Sequence, residues 1–326
     1  MPPVVGGREV ASSSSSSSSS GAEVPQLPQL PSGRPYDLGR STEDNYRIGS
    51  FTYDDASGGK FSAIRSALDY SYHAHYHPDR QRVQDGIVSG LLERTVIQDS
   101  ATGRTCAAPC PTSSGNWAVF TAGAYGAGKT HTIRHVAEAR GFPLPGFVSV
   151  DPDEIRRHLP EFALHVRDDA EMAGERTRKE AGYLSEVLAE AALREGRNVL
   201  VDGSLRDSDW YSLYFDGLRG RYSRLRIAIL HVTAPPPMVF QNAEARSRVT
   251  GRVVPRDRIE MALEAVPASV RRLAPLVDFI CELHNSPDAE GGIRIVTEGV
   301  TWEDFGRVWQ QSCPREEDIS RPRNKL

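Results

Sequence analysis

The sequence predicts an α/β fold: a mostly parallel β-sheet flanked by helices, with a helical extension before it and disordered tails at both ends. Three observations carry this reading. Short apolar runs recur along the second part of the chain, separated by segments long enough for helices, and that alternation builds a parallel sheet covered on both faces. The run Gly123-Ala124-Tyr125-Gly126-Ala127-Gly128-Lys129-Thr130 fits G-x-x-x-x-G-K-[ST] at every fixed position. It stands between Trp117–Ala122, which reads as a buried strand, and Thr130–Arg140, which reads as a helix. A strand, a glycine-rich turn and a helix in that order aim backbone N–H groups and the positive helix end at phosphates, so the expected architecture is the P-loop NTPase fold.

The elements follow in chain order. Residues 1–40 hold a serine tract, Ser12–Ser20, then Pro25, Pro28, Pro31 and Pro35, a composition that cannot bury enough apolar surface to order itself. In residues 41–115, Ile64, Leu68 and Tyr72 recur at helical spacing, as do Val83, Ile87, Leu91 and Leu92; Ser100–Gly115 reads as a linker. The α/β unit spans residues 116–312. Its strands are expected at Trp117–Ala122, Phe147–Asp151, Asn198–Asp202, Leu225–Val232 and Ile293–Thr297. Its clearest helix is Glu175–Glu195, with Leu184, Val187, Leu188, Ala191 and Ala192 as the buried stripe and Gly196 as the stop. Pro235-Pro236-Pro237 ends the fourth strand and starts a helix. Residues 313–326 form a charged tail.

Composition narrows the function classes. A net charge of −4 gives no bulk electrostatic case for nucleic acid or membrane binding. No apolar run approaches ~18 residues, so no membrane span is expected, and Met1–Gly7 lacks the apolar core of a secretion signal. The four cysteines are scattered, which fits a reducing, cytoplasmic setting; Cys106 and Cys110 read as free thiols in a loop. His73, His75 and His77 would share a face in a strand and could bind metal there, but the helix-like context splays them, so a surface or packing role is expected. Arg80-Gln81-Arg82-Val83-Gln84-Asp85 reads as a polar helix face.

In an open parallel sheet, ligands sit beyond the carboxyl ends of the strands. Lys129 would reach the β- and γ-phosphates of a nucleoside triphosphate, and the Thr130 hydroxyl would hold Mg²⁺. The second strand ends in Asp151-Pro152-Asp153, where a carboxylate can accept the proton of an attacking hydroxyl; either aspartate could instead be a helix cap. The third ends in Asp202-Gly203-Ser204-Leu205-Arg206. Asp202 there resembles a Walker B carboxylate assisting Mg²⁺, and Arg206 could clamp an anion, though Asp-Gly is also a common turn pair. After the fourth strand, Arg246, Arg248 and Arg252 precede Pro255; they could neutralise a transferring phosphoryl group or form a solvated face.

Taken together, these four stretches resemble the zeta toxin family of P-loop kinases, in the family's order and over roughly residues 116–280. The resemblance implies ATP-dependent transfer of a γ-phosphate to a hydroxyl of a small molecule, in bacterial members the sugar 3′-hydroxyl of UDP-N-acetylglucosamine. It implies ATP on Gly123–Thr130, Lys129 stabilising the transferring phosphate, and Asp153 as base because it precedes Pro160 as the family's base precedes its proline; Asp151 is the alternative. Glu186 matches a substrate-contacting glutamate and Ser204 a threonine near the substrate. Arg246 and Arg252 match the arginines on the ATP phosphates, with Arg248 as the alternative to Arg246. Two departures stand out: Tyr125 replaces a familiar proline, and Asp202 and Ser204 replace a Glu and a Thr. The long extension looks like that of a eukaryotic-type homologue. Two other functions compete with the kinase, a P-loop ATPase or switch that binds a protein partner and a kinase of nucleic-acid ends; the charge balance argues against the latter. An antitoxin-like partner is left open.

Overall fold

The computed structural model describes residues 27–53, 59–93, 97–98, 105–106, 116–140, 147–286 and 293–296. The N-terminal segment contributes α1 (Thr42–Tyr46), β1 (Arg47–Ile48), α2 (Ser62–Arg65), β2 (His75–Tyr76), α3 (Pro78–Glu93), β3 (Ile97–Gln98) and β4 (Thr105–Cys106). The α/β unit follows with β5 (Trp117–Ala122), α4 (Lys129–Arg140), β6 (Phe147–Val150), α5 (Pro152–His158), α6 (Phe162–Asp168), α7 (Ala173–Arg176), α8 (Arg178–Arg194) and β7 (Asn198–Val201). It ends with α9 (Ser208–Arg221), β8 (Arg226–Thr233), α10 (Pro236–Thr250), α11 (Arg256–Leu273), β9 (Phe279–Asn285) and β10 (Ile293–Ile295).

The main sheet runs β10-β9-β8-β5-β7-β6. Every pairing within it is parallel except that of β10 with β9. β5 is central, and all six of its residues are buried, as its unbroken apolar character requires. Because β5 lies between β7 and β8, the chain goes one way to reach β6 and β7 and the other to reach β8. The loops after β5, β6 and β7 therefore open onto one crevice. Two backbone bonds tie these ends together: the Gly123 N–H donates to the Ser204 carbonyl at 3.2 Å, and the Asp202 N–H to the Val150 carbonyl at 2.9 Å. Among the described residues no helix is long and apolar enough to cross a membrane.

Several expectations are corrected. β9 went unseen in the sequence because its residues alternate buried and half-buried, so Glu282 and His284 interrupt the apolar run. The helix expected at Glu175–Glu195 is broken at Thr177, whose buried hydroxyl donates to the Ala173 carbonyl at 2.8 Å. Around Ile64, Leu68 and Tyr72 only Ser62–Arg65 is helical. Residues 27–40, assigned to a disordered tail, are packed: Leu30 and Tyr36 are buried, and the Tyr36 hydroxyl lies 2.7 Å from His165 Nε2. The serine tract lies outside the described residues, as do Cys110 and residues 313–326. Of the linker, Thr105–Cys106 pairs antiparallel with Ile97–Gln98.

The largest correction concerns Arg80-Gln81-Arg82-Val83-Gln84-Asp85. Arg80, Gln81 and Gln84 are buried. Arg80 donates to both oxygens of Glu161 and both of Glu180 at 2.7–3.0 Å. Gln84 donates to Glu180 at 2.8 Å and the Tyr46 hydroxyl to Glu161 at 2.6 Å. Nearby, Arg65 pairs with Asp85 at 2.6 Å. Helix α8 explains the burial. One side faces β6 and β7, and α1, α2 and α3 cover another, so the helix is apolar well beyond a single stripe. One hydrophobic core runs through both the N-terminal segment and the sheet.

Candidate functional site

The glycine-rich loop is fixed by close backbone approaches. Gly123, Gly126 and Gly128 all have positive φ. A Cβ on Gly126 would stand 2.2 Å from the Val239 carbonyl oxygen, and one on Gly123 2.5 Å from that of Val232. No side chain fits there, so the loop must be glycine for steric as well as conformational reasons. Two asparagines hold the loop from outside: Asn242 donates to the Gly126 carbonyl at 3.0 Å and Asn285 to the Ala127 carbonyl at 3.1 Å. The Gly123 and Ala127 N–H groups donate to the Ser204 and Ala124 carbonyls, and the loop's other N–H groups remain for an anion. Lys129 folds back, its Nζ donating to the carbonyls of Gly123 and Ala124 at 3.1 and 3.3 Å. Thr130 lies in the first turn of helix α4 and is exposed.

Opposite the loop, Asp151 caps α5, accepting the Asp153 N–H at 2.7 Å. This capping role, expected for one of the two aspartates, falls to Asp151. Burial, with Asp202 and Asp153 adding like charge, lifts the Asp151 carboxyl to about 6. Asp153 points at cations instead. Arg252 Nη1 donates to Oδ1 at 2.7 Å, Arg246 Nη2 to Oδ2 at 3.2 Å, and Arg156 Nε lies 3.3 Å from Oδ1. Burial works to raise its carboxyl, but Arg252, Arg156, Arg246 and Lys129 outweigh that and hold it below the usual carboxylate range. Arg156 is itself pushed down to about 10 by burial and by the charge of Arg252. Four cations thus converge near one ionised carboxylate, an excess of positive charge that suits a polyanion.

Tyr125 completes this group. The guanidinium carbons of Arg246 and Arg252 lie 4.9 and 5.3 Å from its ring centroid, within cation–π range. Arg248, the alternative to Arg246, instead pairs with Glu244 and is 73% exposed. Asp202 accepts the Thr121 hydroxyl at 2.6 Å, and that hydroxyl accepts the Gly203 N–H at 3.1 Å, which fixes the carboxylate at the end of β7. Leu205, buried with φ 56, is strained in the turn that follows.

Two adjoining cavities meet at this turn. The first, about 350 Å³, is lined by Tyr125, Lys129, Asp151, Asp153, Arg246 and Arg252. The second, about 260 Å³, is lined by Glu186, Tyr72, Trp210, Tyr211 and Tyr214. Asp202, Ser204, Arg206, Arg156 and Arg178 line both. The structure therefore brings together Lys129, Asp153, Arg246 and Arg252 on one side, with Glu186 on the other and Ser204 and Arg206 between. Sequence reasoning missed Arg156, the side chain of Tyr125 and the aromatic wall of α9. Arg156 was within reach: it lies three residues after Asp153 on a helix and so shares its face. The histidines also sort themselves. His73 is buried and 2.9 Å from Glu186, and His75 stacks on Tyr70 at 4.0 Å, so both pack as expected, although their context is not helical and His75 lies on β2. Among the described residues no three His, Cys, Asp or Glu side chains gather as a metal cage.

Solved structures share this architecture. The complex of AvrRxo1-ORF1 and AvrRxo1-ORF2 with sulphate ions matches with a TM-score of 0.50 at 15% identity, covering 84% of this chain and 83% of that one. The same complex with ATP matches with a TM-score of 0.50 at 15% identity, covering 85% and 82%. A structure from the PezAT chromosomal toxin–antitoxin system of Streptococcus pneumoniae is 20% identical over 71% of this chain and 90% of that one, with a TM-score of 0.49. At these identities the AvrRxo1 likeness speaks to the fold. No match was found among curated proteins. The family model described as Zeta toxin matches residues 100–281, more than half of the sequence and every element that builds the first cavity. The fold is therefore that of a P-loop kinase, and the chain belongs to the zeta toxin family.

Proposed function

We propose that this chain transfers the γ-phosphate of ATP to a hydroxyl of a small molecule held in the second cavity. The observation that carries the reading is the position of Asp153, an ionised carboxylate opposite the glycine-rich loop and beside the wall shared by the two cavities. ATP would lie in the first cavity with its phosphates on the N–H groups of Gly123–Thr130. Lys129, Arg246 and Arg252 would neutralise the charge that develops during transfer. As the arginines turn to the phosphates, Asp153 loses the charges that depress its pKa and becomes a better acceptor of the substrate hydroxyl's proton. Glu186, Ser204 and Arg206 would hold the acceptor.

Thr130 and Asp202 would hold Mg²⁺. The crowding of Asp151, Asp202 and Asp153 supports a cation there, since it would relieve the repulsion that lifts Asp151. Mg²⁺ is commonly bound through one or two carboxylates plus phosphate oxygens and water, so a full protein cage is not required. The metal would neutralise charge on the transferring phosphate.

UDP-N-acetylglucosamine, phosphorylated on its sugar 3′-hydroxyl, is the first acceptor to test. A second cavity beside the phosphates favours a small acceptor over a nucleotide switch, which has no use for one. In a coupled assay with a competent acceptor, Asp153→Asn should lower kcat by about 10²–10⁴-fold and Lys129→Ala by about 10²-fold or more. Full transfer by either variant would refute the kinase reading.

A further inference from the structure

The acceptor cavity is not built by the kinase unit alone. Tyr72 lines it, and Tyr72 belongs to the N-terminal segment, before the residues that match the family model. Tyr72 is 44% exposed, and the Lys179 ammonium lies 5.8 Å from its ring centroid. Tyr72 also lies close enough to Arg178 to hydrogen-bond with it and raise its pKa, although Glu175 and burial act more strongly there. The next residue, His73, turns inward. It is buried, and its Nε2 lies 2.9 Å from Oε1 of Glu186, a side chain facing the cavity. Its ring meets Tyr183 edge-on at 5.3 Å. By contrast, no described residue from 27 to 93 lines the phosphate cavity.

This segment is also fastened down. Arg80 sits on Glu161 and Glu180 with all three side chains at most 2% exposed. Undocking the segment would break this network and expose the apolar core that the segment shares with the sheet, a costly state. A segment held in this way cannot act as a removable plug. It leaves the ATP side open and fixes two side chains on the acceptor side.

We infer that Tyr72 forms the outer wall of the acceptor site, contacting the acceptor and setting which one fits, and that the buried His73 behind it is a positioning residue that orients Glu186. The inference rests on the kinase reading, because it assigns the second cavity to the acceptor.

The test uses the full chain and measures the KM for acceptor and for ATP separately, with UDP-N-acetylglucosamine as first probe. Tyr72→Ala and His73→Ala should each raise the acceptor KM by about tenfold, the scale of losing one contact in a specificity pocket, and leave the KM for ATP unmoved. His73→Gln, which keeps a donor for Glu186, should restore most of the loss. Tyr72 is on the surface, so its variant folds even if removal of His73 disturbs the core; thermal melts of both check this. An unchanged acceptor KM in Tyr72→Ala, or an equal rise in the KM for ATP, overturns the inference. If wild-type protein does not phosphorylate UDP-N-acetylglucosamine, that acceptor assignment fails by itself, and the comparison moves to a metabolite extract. There Tyr72→Ala should change the relative yields of phosphorylated products; identical product profiles overturn the inference. A wild-type chain that phosphorylates nothing in the extract overturns the kinase reading and this inference with it.

Discussion

At Asp153 a single carboxylate meets two arginines, a third cation on its own helix and a loop lysine. Tyr125 is the residue that organises this. Each guanidinium over its ring is worth about 0.5–1 kcal/mol at a partly exposed site. Tyr125→Ala should therefore raise the KM for ATP by about 5–30-fold as Arg246 and Arg252 loosen, whereas Tyr125→Phe keeps the ring and should stay near wild type. Steady-state kinetics on the two variants decide; equal behaviour would remove the ring from the account. Asp151 makes a pH statement. Its folded pKa of about 6 lies above the ordinary aspartate value of 3.8, so folding favours the protonated form and ionisation costs stability. The cost is absent below about pH 3.8, grows through the window up to about pH 6, and is full above it. Asp151→Asn retains an oxygen for the Asp153 N–H and removes the cost. Without nucleotide it should stabilise the protein by about 1–3 kcal/mol near pH 8 and by distinctly less near pH 5. Denaturant titrations at the two pH values would show it, and a gain independent of pH would rule the charge explanation out. The sequence exposed Asp151 and Asp153 as a pair; which one caps and which faces the arginines is a matter of side-chain direction.

Among the elements, the glycine-rich loop was legible because its steric demand is written into its residue types. Gly126 packs against the first turn of α10, the helix that also carries Arg246. Gly126→Ala would drive a methyl group into the Val239 carbonyl, so the loop must shift away from α10. ATP binding, followed by calorimetry, should weaken at least tenfold, about 1.4 kcal/mol, while the melting temperature moves little; unaltered ATP affinity would mean that the loop tolerates the displacement. The apolar strands β5, β7 and β8 were also legible, since fully buried strands have no polar face to obscure them. β9 was hidden by its alternation and the short α2 by apolar spacing that suggested a longer helix. The break at Thr177 depends on a buried hydroxyl finding a carbonyl, which spacing cannot reveal.

Over the whole molecule, the buried ionic cluster joins what the sequence suggested were separate parts. Arg80→Met removes the cation common to Glu161 and Glu180 and should destabilise the protein by about 3–5 kcal/mol, because both carboxylates stay buried. Equilibrium unfolding measures it, and a loss under about 1 kcal/mol, the scale of a surface pair, would mean that the cluster is solvated. Arg80 looked like a surface residue because charged residues in a helical run are usually solvated; a partner 81 or 100 residues away leaves no local trace. The sequence by itself determined the sheet, the phosphate loop and the family, since each rests on local residue types in a fixed order. Tertiary structure alone decided that Arg246 and Arg252 meet on Asp153 across Tyr125, that Tyr72 reaches the second cavity, and that His73 reaches Glu186. Those contacts join distant segments, and their geometry exists only once α8 and α10 are packed against their neighbours.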